Sequence, residues 1–177
     1  MGLTDSFLSI ESLMWLFLAV FMIHDLEEII FVESWMKKNF PRINRFIPMI
    51  ARKLVKNMSE VKSSQFAVAV FVEFIVFIPI TYWAVEQNHY VLFVGCNALM
   101  LVHVFTHVAQ SLVVKSYTPG VVTALIMILP YSGYLFYRMI NEDLVTLQEV
   151  LRYAPTGLFV LPLVLLGHKV GKFVIRE

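Results

Sequence analysis

A single cysteine, Cys96, leaves no intrachain disulfide to form, so cysteine usage assigns no redox compartment. Charge is scarce too: 15% of the 177 residues are charged, against roughly a quarter in a soluble domain. That shortage excludes a large solvated surface. The formal net charge of +1 supplies no basic excess, and no nucleic-acid partner is expected. Ahead of the first apolar run stand Asp5 and Glu11 and no basic residue, which is not the charge pattern of a signal peptide. Internal repeats and low-complexity tracts are lacking as well.

What the chain has instead is apolar length. Hydrophobic residues make up 59% of it, and the mean hydropathy is +0.74. Apolar segments fall at 12–32, 66–86, 90–114, 120–140 and 154–174, each near the roughly 20 residues a helix needs to cross a hydrocarbon core. Lipid cannot satisfy free backbone groups, so these runs are expected to be helices. The expected fold is all-α: a polytopic transmembrane helical bundle of five spans, forming one domain over 1–177. Pro119-Gly120 is expected to open the fourth helix and Pro155 the fifth. Pro79, Pro130 and Pro162 fall inside spans, where they kink a helix unless neighbouring groups compensate.

Charge distribution sets the orientation. With 33–65 on the cytoplasmic side, the inner loops and span ends hold Lys37, Lys38, Arg42, Arg45, Arg52, Lys53, Lys56, Lys62, Lys115, Lys169, Lys172 and Arg176. These are 12 of the 14 basic residues; Arg138 and Arg152 are the exceptions. The positive-inside rule then puts the N-terminus out and the C-terminus in, in a multi-pass protein of the cell (plasma or inner) membrane. Trp15, Trp35 and Trp83 fall at the expected interfaces. Within 33–65, Ile50, Leu54, Met58 and Val61 recur at helical spacing, with Arg52, Lys53 and Lys56 off that stripe. The segment reads either as a basic amphipathic helix meeting anionic lipid headgroups on the inner surface, or as a solvated connector that only fixes topology.

Ionisable residues inside the spans are the informative feature, because each costs roughly 2.5–3.5 kcal/mol on insertion scales and must face protein, water or a cation. The first run is interrupted by His24, Asp25, Glu27 and Glu28. His24 and Glu28 lie one helical turn apart, with Glu27 on their flank, while Asp25 points about 100° away. The third run carries His103 and His107 at i and i+4, a spacing that can aim two imidazoles at one ion. Gln110 continues that stripe, and Asn97 lies off it but within reach of a substrate cavity. The second run contributes Glu73. At 1.5 Å per residue, Glu73 falls roughly 10 Å, His107 roughly 12 Å and His103 roughly 18 Å from the inner ends of their spans. The first span descends to the same depth, so three helices bring polar groups to one level at and below the midplane.

Imidazoles and carboxylates gathered there suit zinc, iron or manganese better than soft copper sites do. His24, Glu28, His103 and His107 are the expected ligands of a divalent metal, zinc first and a dinuclear centre as the alternative. Glu27 and Glu73 are candidates for a further ligand, a group supporting the ligands, or the general base. Zinc with an open position can lower the pKa of bound water to about 7, and a carboxylate can then take the proton. His89, beside Asn88, reads as a solvated residue of the outer loop, His168 sits next to Lys169 at the inner interface with no pattern that supports a site role, and Tyr131, Tyr134 and Tyr137 read as a packing stripe.

The run His24-Asp25-Leu26-Glu27-Glu28, near the end of a first apolar helix, resembles the signature of the small membrane-protein family named for its HXXEE motif. His103, His107 and Asn97 resemble further polar positions of such proteins, and the likeness extends from the first span through at least the fourth. It implies a shared membrane fold and polar site but no named reaction. A looser likeness to intramembrane metal hydrolases and desaturases stops at helix-borne histidines, since HExxH and HxxHH are both missing.

Three functions follow from these readings. The leading one is a metal-dependent membrane enzyme, of hydrolase or acyl-transfer type, acting on a lipid-like substrate near the cytoplasmic leaflet. The second is a transporter for a metal ion or a proton-coupled solute. The third is a non-catalytic membrane partner or sensor, with homo-oligomers possible in every case.

Overall fold

The computed structural model describes residues 8–45, 49, 52, 56 and 59–176. Among these residues the fold is all-helical, with five long helices and no strand. Helix α1 spans Ile10–Ile43, α2 Ser63–Gln87 and α3 Tyr90–Val114. Helix α4 spans Val121–Asn141 and α5 spans Leu147–Val174. The last four are long and apolar enough to cross a membrane; α1 is longer still and differs in carrying Asp25, Glu27 and Glu28 within its apolar run.

Local chemistry explains most boundaries. Ser9 caps α1 by accepting from Ser12 N at 3.2 Å. The helix then continues through Pro41 to Ile43, well past the apolar run that ends at 32. Its 34 residues make about 51 Å of helix, more than the roughly 30 Å of a hydrocarbon core. Asn88 ends α2 and Lys115 ends α3, both in left-handed backbone. Helix α5 starts at Leu147, seven residues before the expected 154, because Thr146 and Glu149 form a reciprocal capping box. Pro155 therefore does not open that helix; it sits in a tightened 3-10 stretch, Ala154–Phe159. In α4, Pro130 follows a widened π turn at Ala124–Ile128, which absorbs the missing N–H and the ring's clash with the preceding turn.

The bundle is turned outward: Phe71, Val102, Phe105, Ile126 and Leu165 are exposed, while His24, Asp25, Glu73, Asn97 and His107 are buried. Helices meet through small residues. A Cβ on Gly167 of α5 would fall 2.8 Å from Ala69 Cα of α2, and one on Gly171 would fall 2.3 Å from Gln65 O. Gly95 of α3 and Gly157 of α5 make a similar backbone contact.

Hydrogen bonds place the helix ends on two faces. Ser63 N donates to Glu33 Oε2 at 2.8 Å, Arg42 Nη2 to Val114 O at 2.8 Å, and Gln65 Nε2 to Ile175 O at 3.1 Å. This face gathers Lys37, Lys38, Arg42, Lys62, Lys115 and Lys172, and is the basic end. At the other end the buried Arg138 pairs with Glu142 and donates to Leu8 O at 3.2 Å. Between that end and the polar level lies an aromatic core, with Phe17 5.3 Å from Phe77 and 5.6 Å from Phe93 by ring centroids. In the connection after α1, Met49, Arg52, Lys56 and Ser59 are helical, and Arg52 and Lys56 are exposed. The apolar stripe residues Ile50, Leu54 and Met58, and Lys53 with them, lie outside the described residues.

Candidate metal centre

Four side chains converge where α1 meets α3. His24, Glu28, His103 and His107 each offer one ligand atom, and these four atoms lie within 4.8 Å of one another. His107 Nε2 stands 2.8 Å from His103 Nε2 and 3.3 Å from Glu28 Oε1. The His24 ring lies edge-on to both other imidazoles, 5.0 Å from His107 and 5.6 Å from His103 by centroid. Ligands about 2.1 Å from a four-coordinate zinc sit about 3.4 Å from each other, so two of these pairs are already at that spacing or closer. Helical periodicity does the assembling: i and i+4 on each helix present two donors per face, and the facing of α1 and α3 doubles them.

The sequence does not announce the third wall of the site. After α3 ends, the chain turns back into the bundle: Thr118, Pro119, Gly120 and Val121 are all buried. Gly120 lies against the imidazole of His107. A Cβ there would fall 2.4 Å from His107 Cε1 and 2.8 Å from Glu28 Oε1, and its φ of +87° is one that favours glycine. Helix α4 thus begins beside the site, and the non-helical backbone before it is surrounded by protein.

That first turn of α4 fixes the tautomer of His24. Thr123 donates both its N–H, at 2.8 Å, and its hydroxyl, at 2.6 Å, to Glu27 Oε2. A carboxylate only accepts, so the one hydroxyl hydrogen is committed to Glu27. The contact of 2.9 Å between Thr123 Oγ1 and His24 Nδ1 must then be donated by Nδ1–H. His24 Nε2 is left as the basic nitrogen, and it is buried with no hydrogen-bond partner among the described residues. Thr106 acts alike on His103: its hydroxyl donates to His103 O at 2.7 Å and stands 3.1 Å from Nδ1, which leaves Nε2, 2.8 Å from His107 Nε2, as the nitrogen with the lone pair. A neutral imidazole held by its other nitrogen, with its lone pair aimed into a shared space, is the arrangement metal-binding histidines adopt. The donor set therefore fits an ion.

Other sequence-expected groups take different places. Glu27 accepts from Tyr117 OH at 2.7 Å as well as twice from Thr123, and stands outside the four-atom group. Burial and the Glu27 carboxylate push the Tyr117 phenol above its ordinary pKa, which keeps it a donor. Glu73 is buried on α2 and lies within electrostatic range of Glu28. Asp25, offset from His24 by about 100°, is buried beside the same two carboxylates, and its Oδ2 has no partner. Asn97 is fully buried, donates to Phe93 O at 2.9 Å and leaves Oδ1 unpaired; Gln110 is exposed on α3. Neither joins the cluster. Thr123 and Tyr117 carry no signal in the sequence, and Gly120 reads there only as the start of the fourth helix with Pro119.

The fold and site together define an all-helical protein with four helices able to span a membrane and a buried His/Glu group able to hold a metal ion. The chain belongs to the family described as "Protein of unknown function with HXXEE motif", whose model matches residues 15–135. It is also similar to the "Uncharacterized protein YrkK" of Bacillus subtilis (strain 168), 29% identical over 82 residues that make up 45% of this chain. The match covers 52% of that relative, so the chain spans about half its length. No solved structure matches.

Proposed function

We propose that the protein is a five-span membrane protein, N-terminus out and C-terminus in, that holds a divalent metal and hydrolyses or transfers an acyl group of a lipid-like substrate at the inner leaflet. The observation that carries this reading is the convergence of His24, Glu28, His103 and His107 within 4.8 Å. Three nitrogens and one carboxylate make zinc the first choice. A bound zinc would supply a Lewis acid and a water of lowered pKa. Around it, Thr123 and Thr106 orient two imidazoles, and Glu73 and Asp25 are further buried carboxylates able to receive a proton. His103 and Glu28 are only partly buried, and Val102, Phe105 and Thr106 beside them face outward, which gives a lipid-borne group lateral access. Transport is less supported, because the core on the Arg138 side is packed by Phe17, Phe77 and Phe93.

The test is elemental analysis of protein purified without chelator, wild type beside His24→Ala and His103→Ala. About one metal per chain is expected in wild type, with loss in both variants and an unchanged chromatographic profile. Full occupancy in either variant would overturn the site, and ester hydrolysis unaffected by metal removal would overturn the chemistry.

A further inference from the structure

The stripe of α1 that starts at Glu27 continues through Phe31 and Ser34 to Lys38, at spacings of four, three and four residues that keep one helical face. Opposite it runs the connection 115–120. Between them lies a cavity of about 380 Å³ lined by Phe31, Ser34, Trp35, Lys38, Ser116 and Tyr117 among others, within the roughly 300–1,000 Å³ of small-molecule sites. Its walls are held in place. Trp35 Nε1 donates to Tyr117 O at 2.7 Å, the Phe31 and Tyr117 rings meet edge-on at 6.3 Å, and Arg42 Nη2 donates to Ser116 Oγ at 2.8 Å. The same Tyr117 donates to Glu27, so one residue belongs to both this cavity and the metal centre's support.

We propose that this cavity binds the headgroup of an anionic lipid, a phosphate diester such as that of phosphatidylglycerol. Charge complementarity carries the choice. Lys37 is paired with Glu33, whereas Lys38 meets no acidic group among the described residues and stands exposed on the lining. Ser116, whose oxygen accepts from Arg42, adds a hydroxyl donor, and no carboxylate lines the cavity among the described residues. Trp35 and Tyr117 are the amphipathic rings that settle at headgroup level. Depth agrees: the cavity is at the basic end, and Ser34 lies six residues, roughly 9 Å, beyond Glu28 along the helix. A lipid phosphate at Lys38 therefore directs its glycerol and acyl part back along Phe31 and the exposed Ile30, towards Glu28 and His107. This rests on the reading of the metal centre only for the fate of the lipid; binding stands by itself.

Trp35 supplies the reporter. In a chain carrying Trp15→Phe and Trp83→Phe, quenching of the remaining tryptophan is titrated with brominated phosphatidylglycerol and brominated phosphatidylcholine in neutral detergent. The anionic lipid is expected to quench at lower concentration. Lys38→Gln should raise its half-quenching concentration about fivefold, the worth of one basic residue near an anionic surface. Lys38→Arg and Lys37→Gln should leave it unchanged. Equal quenching by both lipids, or no effect of Lys38→Gln in a chain whose Lys38→Arg variant folds, would overturn the proposal. Suppression of the quenching by millimolar inorganic phosphate would overturn the lipid in favour of a free anion. Metal content is read on the same samples: lipid binding by a metal-free wild type would remove the metal reading and leave this pocket standing.

Discussion

The Thr123 hydroxyl stands 2.9 Å from His24 Nδ1, and the direction of its own hydrogen bond to Glu27 decides which nitrogen of that imidazole can bind an ion. Thr123→Val keeps shape and loses the hydroxyl. Because groups that orient a metal-bound histidine are typically worth 10–100-fold in affinity, it is expected to weaken zinc binding by about that range in a competition titration with a chelator. Thr123→Ser should restore most of it. Equal affinity in the valine variant would show that Thr123 does not set the tautomer.

Gly120 is expected to tolerate no side chain. Its φ of +87° and the 2.4 Å approach of a Cβ to His107 Cε1 make Gly120→Ala both strained and crowded. A backbone conformation of this kind costs an L residue roughly 1–3 kcal/mol, so the thermal midpoint in detergent should fall and metal content with it. Gly133, where a Cβ meets nothing within 4 Å, is the control. Gly133→Ala should be neutral or raise the midpoint, since it removes freedom from the unfolded chain.

Glu33 ties α1 to α2 at the basic end. The Lys37 ammonium, the Ser63 N–H and Lys62 hold its carboxyl below the ordinary value of 4.5, at about 2. A carboxyl depressed in the folded state contributes stability above its unfolded pKa, and that contribution fades as pH falls towards the folded one. Wild type should therefore melt above Glu33→Gln at pH 6, with the gap closing between pH 4.5 and about 2. A gap that stayed constant across that window would remove the assigned role.

Topology can be read by thiol labelling, since Cys96 is buried and the chain has no other cysteine. In a Cys96→Ser background, Asn88→Cys should react with a membrane-impermeant maleimide from outside intact cells. Lys172→Cys should react only after permeabilisation. The opposite pattern would invert the orientation.

Much of this arrangement could be read from the residues. Helix α3 begins and ends where its apolar run does, because Asn88-His89 and Lys115 mark sharp polar edges. The four clustered donors are those that shared depth and helical face had selected. Hydropathy was blind where the helix and the apolar run part company. Residues 33–43 remain helical because Trp35 and Arg42 bond the chain around 114–117, not because they are apolar. The start of α5 hides in the polar run Gln148, Glu149 and Arg152, where Thr146 and Glu149 were the signal. Nor can hydropathy tell a helix that starts at the membrane surface from one that starts on a buried site, so Gly120 reads only as a helix start and Thr123 not at all.

The sorting of His24, Glu27 and Glu28 gives the motif a grammar. His24 and Glu28 face His103 and His107 across the space able to hold an ion, Glu27 turns aside to the first turn of α4, and Leu26 between them is exposed on the bundle's outer surface. Inserting one residue after Leu26 would rotate both acids by about 100° and undo every one of these contacts together. Exchanging Leu26 for another lipid-loving residue would disturb none of them. The interval is therefore stricter than the letter that fills it.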